Sequence, residues 1–354
     1  MTTLKPPTLG KSSGQALLDS QNRATGTAGY LAGPDLFAFF FTKAVQGSYT
    51  DYVSRWSAST SSSLTPSKLY SQTASLRGMS PDGNNVVVSA VPSAVIYNVV
   101  SAKAVTLPSL DSASAGTCIN AYFYSYAVND AGAAASYCAV AQEAGAAPNA
   151  PARTRAVRWL PGKPGQILPM GTEFISSGGG YINAKGMVAG TVTERDTGLD
   201  RVALWAADGS LTTWANEPNV RNYPMGMDDA GRVLVYRFRD GDITATFAIT
   251  DNGTLRPITP SSPDVTWLNV QGISPTGVVV GASTSSTRGT RAFAWRDGVF
   301  TDLTDLVRSK GVSMPASAYI SNVWSMNAQG SFVGNYIASA TAASAATVRF
   351  IAKP

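Results

Sequence analysis

Groups able to do acid/base or metal chemistry are scarce in this sequence. Histidine is absent, and glutamate occurs only at Glu143, Glu173, Glu194 and Glu217. A serine or cysteine nucleophile therefore lacks its usual imidazole base. Paired carboxylates are the remaining route to hydrolase or lyase chemistry, because one can donate a proton while the other accepts one or attacks. Glu194, Arg195 and Asp196, with Glu173 and Asp200 on loops of the same end, form the densest such group. Burial or a charged neighbour must shift such groups before they work near neutral pH, and exposed loop carboxylates are ordinarily just solvated. Asp240 and Asp242 flank Gly241, but two carboxylates fall short of the roughly six to eight oxygens that calcium takes. That segment reads as a turn. No catalytic residue, cofactor or metal site is assigned.

Cys118 and Cys138 are the only cysteines. With no histidine and no further thiol they cannot complete a zinc site. They are a disulfide or a pair of buried free thiols, and the bridge is the expectation for a chain exported from the cytoplasm, secreted or periplasmic. The opening MTTLKPPTLG has no positively charged start followed by an apolar core, so no signal peptide is visible. Lys plus Arg number 27 against 22 for Asp plus Glu, and the net +5 is spread without a basic run. Nucleic acid is therefore not an expected partner. No apolar run reaches the length of a membrane span.

Positioning any site here falls to strands. Charged residues make up 14% of the chain and hydrophobic ones 44%, so Ser, Thr, Asn and Gly must supply much of the polar surface, and these favour strands and turns over helices. A turn segment recurs about every fifty residues, the period of repeat architectures. Its copies are Asp19-Ser20-Gln21-Asn22, Ser80-Pro81-Asp82-Gly83, Asn129-Asp130-Ala131-Gly132, Asn183-Ala184-Lys185-Gly186, Asp228-Asp229-Ala230-Gly231, Ser274-Pro275-Thr276-Gly277 and Asn327-Ala328-Gln329-Gly330. The first side chain can bond backbone within the turn, and the terminal Gly or Asn accepts positive φ. An apolar residue precedes each copy: Leu18, Met79, Val128, Ile182, Met227, Ile273 and Met326. Four residues after the turn, Gly26, Gly190, Gly281 and Gly334 are expected to let neighbouring sheets approach closely.

Further on comes an apolar strand ending in an aromatic, at Trp56, Trp159, Trp205, Trp295 and Phe350. A second tight turn and another strand follow, giving four strands per unit, A to D. So small a sheet cannot bury both faces alone, so the units must stack radially. The predicted fold is all-β: one seven-bladed β-propeller over residues 1–354. Blades fall near 11–69, 70–110, 111–170, 171–215, 216–260, 261–306 and 307–354. The last ends at its C strand, and Thr3 to Leu9 resemble a D strand, so residues 2–9 are expected to complete it. The recurring Trp reads as packing between blades, the alternative being a ligand contact.

The phrases Asn183-Ala184-Lys185-Gly186-Met187-Val188-Ala189-Gly190 and Arg291-Ala292-Phe293-Ala294-Trp295 resemble the HAF repeat, a bacterial extracellular repeat. The likeness covers nearly the whole chain and is weakest in the second unit, where Val87 replaces the second Gly and Tyr97 stands near the Trp position. It implies a propeller and a secreted bacterial origin, and no one activity.

Antiparallel order puts the A-B and C-D turns at one end of each unit and the B-C loops and D-A crossovers at the other. Length variation collects at the second end, where binding residues are expected. The first unit is read with a B-C insertion from Leu31 to Tyr52, whose Phe37 to Phe41 run is an extra strand or an exposed docking patch. The third has a tether-like loop from Glu143 to Ala152. Two residues before the repeated apolar position stand Ala16, Arg77, Tyr126, Gly180, Met225, Gln271 and Trp324. So dissimilar a set is what one specific site, or a merely tolerant channel lining, would leave. Trp267, Tyr181 and Tyr223 are read as loop aromatics adding stacking surface. The candidate binding residues are thus Trp324, Trp267, Tyr126, Tyr181, Tyr223, Arg77 and Gln271. The function they suggest is non-catalytic recognition of a protein or glycan. The other class is a propeller polysaccharide hydrolase or lyase using the loop carboxylates.

Overall fold

The structure is a computed structural model. It describes residues 2–3, 30–32, 35–43, 49–57, 60–63, 75–82, 84–90, 93–98, 101, 103–114, 117–120, 127–142, 153–239, 241, 245–260, 262–328, 330, 332–337 and 347–352. Seven antiparallel sheets form among these residues. In sequence order, sheet one joins Tyr30–Ala32, Asp35–Lys43, Tyr49–Ser57 and Thr60–Ser63, and sheet two joins Ser75–Met79, Asn85–Ala90, Ser93–Asn98 and Lys103–Thr106. Sheet three holds Ala134–Val140, Arg153–Trp159 and Gln166–Ile167, with both Cys118–Asn120 and Ala127–Val128 paired to its strand Ala134–Val140. Sheet four comprises Phe174–Ile182, Val188–Glu194, Asp200–Trp205 and Leu211–Trp214; sheet five comprises Val220–Met227, Val233–Arg239, Thr246–Asp251 and Thr254–Pro257. Sheet six comprises Val265–Ile273, Val279–Ser285, Gly289–Arg296 and Val299–Asp302. Sheet seven joins Tyr319–Met326, Phe332–Ile337 and Thr347–Ala352 to Thr2–Thr3, which pairs at Thr2↔Ile351 and Thr3↔Phe350. Sheets two to five belong to one compact unit, and sheets one, six and seven to another.

The first sheet corrects the sequence reading. Its turn segment at Asp19 to Asn22 lies outside the described residues. The run Phe37 to Phe41 is no insertion: it lies in Asp35–Lys43, the second strand of the sheet, paired from Leu36 to Lys43 with Tyr49–Ser57 and from Asp35 to Phe37 with Tyr30–Ala32. Aromatic residues are enriched in strands, and the run takes the second place in the order of this sheet.

The cores lie between neighbouring sheets, as four-strand units require. Ala133, Ala135 and Ala156 of sheet three pack against Ile182, Val188, Val192 and Trp205 of sheet four. On the opposite face of sheet four, Ala189, Val202 and Trp214 meet Val233 and Val235 of sheet five. Strand alternation thus makes sheet four half of two cores. The recurring tryptophans are packing residues: Trp159, Trp205 and Trp295 are fully buried. Trp159 Nε1 donates to the Pro108 carbonyl at 2.9 Å and Trp205 Nε1 to that of Pro169 at 2.6 Å. Each proline follows the outer strand of the preceding sheet, so the indole joins two sheets by apolar area and one directed bond.

The tight turns join sheets a second way. Asn129, Asn183 and Asp228 each use Oδ1 to accept the backbone N–H four residues on, at 2.9, 3.0 and 2.8 Å. The glycine closing each turn has positive φ, as at Gly132, Gly186 and Gly231. The amide nitrogens reach the next sheet: Asn129 Nδ2 donates to the Asn183 carbonyl at 2.9 Å, and Asn183 Nδ2 to that of Asp228 at 3.1 Å. In sheet two the turn residue is Ser80, which has no amide, and Asn85 supplies the donor to the Asn129 and Asp130 carbonyls at 3.2 and 2.9 Å.

The repeated glycines act within their own sheets rather than between sheets, correcting the expectation. A Cβ on Gly190, Gly281 or Gly334 would collide with the carbonyl oxygen of Gly178, Asn269 or Asn322 in the first strand of the same sheet. That strand carries a β-bulge beside the contact, at Gly180, Gln271 or Trp324. Close approach between sheets occurs at Gly179, where a Cβ would lie 2.9 Å from the Ser136 carbonyl of sheet three. In sheet two the turn is one residue longer, with Asn85 N–H bonding Ser80 Oγ. Register therefore sets Val88, not Val87, opposite the residue before the bulge.

Cys118 and Cys138 form a disulfide, with Cα atoms 5.8 Å apart, inside the usual range. Cys118 lies on a strand paired directly to that of Cys138, at Cys118↔Val140. Closing this loop contributes about 3 kcal/mol. The chain also contains one helix among the described residues, α1 at Leu303–Ser309. Asp302 caps it by accepting from the N–H groups of Thr304 and Asp305 at 2.8 and 3.2 Å, and Leu303 and Val307 enter the core with Val280, Ile320 and Phe332.

Two outcomes are expected. Asn183→Ala removes two acceptor bonds inside the turn and one donor bond to sheet five. Denaturant unfolding should show a loss of about 2–3 kcal/mol, whereas Asn183→Asp, which lacks only the donor, should lose less. Deleting residues 1–9 uncovers the edge of Thr347–Ala352 and should lower the melting temperature or cause aggregation; an unchanged melt would contradict a structural role for that pairing.

Candidate functional site

In sheet six the B-C hairpin and the two D-A crossovers meet at one end of the sheet, and there they enclose a pocket of about 550 Å³. Ser262 and Asp264 come from the crossover entering the sheet, Ser285, Thr287 and Arg288 from the hairpin, and Asp302 and Asp305 from the last strand and the first turn of α1. Ser283 and Arg291, directly paired across two inner strands, line it with Phe293 and Phe300. Those two phenyl rings stack, with centroids 4.4 Å apart and planes 17° from parallel.

The carboxylates of this pocket are already engaged. Asp264 accepts from Ser262 Oγ and from Thr287 Oγ1, the latter at 2.6 Å. These two hydroxyls, Ser262 first, hold its pKa below the ordinary aspartate value. Asp305 takes both terminal nitrogens of Arg288 at 3.2 Å, and Asp302, besides capping α1, lies 3.3 Å from Arg288 Nη2. Arg288 is thus consumed as the clamp between hairpin and helix. Arg291 is not. Its Nε donates to the Arg288 carbonyl at 3.1 Å, and its guanidinium carbon lies 3.6 Å over the Tyr319 ring. No oxygen among the described residues is recorded as a hydrogen-bond or ion-pair partner of its terminal nitrogens. Burial pulls its pKa below the usual arginine value, and Asp302 partly opposes that.

The residues singled out in the sequence are not gathered here. Arg77, Gly180, Met225, Gln271 and Trp324 are the extra residues of bulges in the first strands of sheets two, four, five, six and seven. A bulge leaves its residue unpaired and re-aims it, which explains why this position alone escapes the repeat's uniformity. Gln271 is half-buried; the side chains of Arg77 and Trp324, and Tyr126 entirely, lie outside the described residues. Tyr181, Tyr223 and Trp267 sit in strands rather than loops. Tyr181 packs against the core shared by sheets four and five. Tyr223 leans on Tyr236, which meets Phe247 edge-on, with centroids 6.4 and 5.8 Å apart. Of the three only Trp267 offers open surface, at 48% exposure.

Of the carboxylate alternative's residues, Glu194, Asp200 and Glu217 are engaged, while Glu173 and Asp196 are exposed. Glu194 pairs with Arg201 and accepts from Thr197 Oγ1, while Asp200 accepts from Thr193 Oγ1 at 2.6 Å. Arg195 spends its backbone N–H on the Glu173 carbonyl and its Nε on that of Thr172. Glu217 pairs with Arg237 and Arg239. These are bonds that close a hairpin and secure a crossover. Asp240, Asp242 and the loop from Glu143 to Ala152 lie outside the described residues. Sequence reasoning missed the pocket, although Asp302 before Leu303, Leu306 and Val307, with Gly311 beyond, is a readable helix signal.

No family model matches the chain, and no curated protein does. Among solved structures it is similar to the β-propeller domain of the trilobed protease from Pyrococcus furiosus, described as having an open velcro topology. The TM-score is 0.56 at 11% identity, covering 92% of this chain and 93% of that one. A prolyl endopeptidase gives a TM-score of 0.54 at 14% identity, covering 92% and 46%. Prolyl oligopeptidase B from Galerina marginata gives 0.51 at 12%, covering 88% and 47%. The chain spans about half the length of those two peptidases. At such identities the likeness is one of fold: antiparallel four-stranded sheets resembling β-propeller domains.

Substitution separates packing aromatics from surface ones. Tyr223→Ala should cost about 2 kcal/mol or more in denaturant unfolding, since it strips one ring from a packed row. Trp267→Ala should change stability by less than about 0.5 kcal/mol.

Proposed function

We propose that the seven sheets are blades of one closed β-propeller of the HAF-repeat kind, with the N-terminal strand completing the last blade. In this reading the protein is a non-catalytic interaction module working outside the cytoplasm, and it recognises a protein or glycan through the end carrying B-C loops and D-A crossovers. One observation carries the functional part: the pocket of sheet six opens at that end, and its carboxylates are bonded to arginine, hydroxyl or helix-cap partners. Groups so engaged serve recognition, because an acid/base pair needs a carboxylate free to exchange its proton. The disulfide supports an oxidising compartment. Pairing of Thr2–Thr3 with Thr347–Ala352 supports closure, and the turn bonds common to sheets three, four and five support a single repeat.

The test incubates the full chain with glycan and peptide arrays and reads retention and product release together. Retention without new reducing ends or cleaved peptides is expected, with at least a tenfold loss in Arg288→Ala. Product release from either array overturns the reading, and so does retention that Arg288→Ala leaves intact.

A further inference from the structure

We propose that the sheet-six pocket binds the free carboxylate at the end of an apolar chain, as in the C-terminal residue of a peptide, with Arg291 as the anion contact. The half-buried Phe300 ring, backed by the buried Phe293 ring stacked on it, forms the wall for the adjoining side chain. This rests on the reading of that end as a recognition surface and narrows it to a ligand class.

Of the charges in the lining, one is uncommitted. The lining contains two arginines and three aspartates. Arg288 and the three aspartates satisfy one another, neighbouring hydroxyls or the cap of α1. What remains is Arg291, fixed by its Nε bond and by the Tyr319 ring beneath it. A guanidinium held in this way is pre-organised: little rotamer freedom is lost when an anion arrives, and the planar fork matches a carboxylate in two parallel bonds. Ser283, directly across the ladder from Arg291, lines the same pocket and offers a hydroxyl as a second donor to the anion. A partly desolvated cation gains most from an anionic partner, because the cost of leaving water is already met.

The same lining rejects the competing classes. A phosphate brings up to two negative charges into a pocket whose aspartates outnumber its arginines, whereas a carboxylate brings one. A cationic ligand would have to displace Arg288 from Asp302 and Asp305, or the hydroxyls from Asp264. Sugar hydroxyls would leave the Arg291 charge uncompensated. The Phe300 ring asks for an apolar neighbour within a side chain's reach of the anion, and a C-terminal residue supplies both on one carbon.

The experiment is calorimetric titration of the full chain with acetyl-glycyl-phenylalanine, with its C-terminal amide, and with inorganic phosphate. The acid should bind at least tenfold more tightly than the amide and more tightly than phosphate. Arg291→Gln should abolish the preference for acid over amide, and Arg291→Lys should keep part of it, with thermal melts confirming that both variants are folded. Should Arg291→Gln not fold, Ser283→Ala serves in its place, with a several-fold loss for the acid alone. Equal affinity for acid and amide, no binding of either, tighter binding of phosphate, or an unaffected acid preference in these variants overturns the proposal. If array ligands are retained and lost in Arg288→Ala while acid and amide do not differ, the recognition surface stands and only the ligand class falls.

Discussion

The constraint on which the sheets of the Ser75–Pro257 region depend is the burial of a polar side chain at each turn between first and second strands. Ser80, Asn129, Asn183 and Asp228 are all buried, and a buried amide or carboxylate without partners costs several kcal/mol. Each is satisfied by wrapping its own turn, and the asparagines then spend their second group on the next turn's carbonyl. One residue type therefore closes a hairpin and sets the spacing of the next sheet. Where the asparagine is missing, a neighbour restores the donor, as Asn85 does beside Ser80. Arg158 adds a longer tie between sheets three and four, bonding the Gly186 and Ala206 carbonyls at 3.1 Å each. Hydrophobic area drives the sheets together, and these directed bonds decide how they sit.

Much of this is legible in the sequence because it is local. Turn chemistry resides in four consecutive residues, so Asn183 to Gly186 announces its hairpin, and the pairing of strands follows from turn order. The bulges are half legible. Their residues stand out as the one variable position of a repetitive strand, but uniform spacing cannot say that the cause is an unpaired residue rather than a shared ligand. The glycines show the limit more sharply: Gly190 and Gly281 are visible as a pattern, yet the atom that forbids a side chain there is a carbonyl on another strand, known only once register is fixed. In the first sheet a turn-like tetrapeptide outweighed a run of phenylalanines, although aromatic residues are enriched in strands.

The pocket was not legible at all, for a different reason. Its residues, Asp264, Arg288, Arg291 and Asp305, are ordinary surface types drawn from three separate places in the chain. Their meaning is subtractive: Arg291 matters because every other charge beside it is already balanced. A sequence shows which groups are present and never which are spent. Glu194 shows the converse, since it looks like chemistry until Arg201 and Thr197 are seen to hold it.

The pairing of Thr2 and Thr3 with Ile351 and Phe350 has an entropic side. Bringing together segments some 350 residues apart, instead of the few residues of a hairpin, costs about 4 kcal/mol more in loop-closure entropy, and two residue pairs are all that repay it in the described ladder. Preordering of the intervening sheets lowers that cost, because a chain already folded on itself has fewer positions for its ends to lose. The junction is therefore the last contact to gain from folding and the first to release under load. Among the described ladders it makes the seventh sheet a natural breathing point, where amide protons are expected to exchange early and a proteolytic enzyme to find an extended segment.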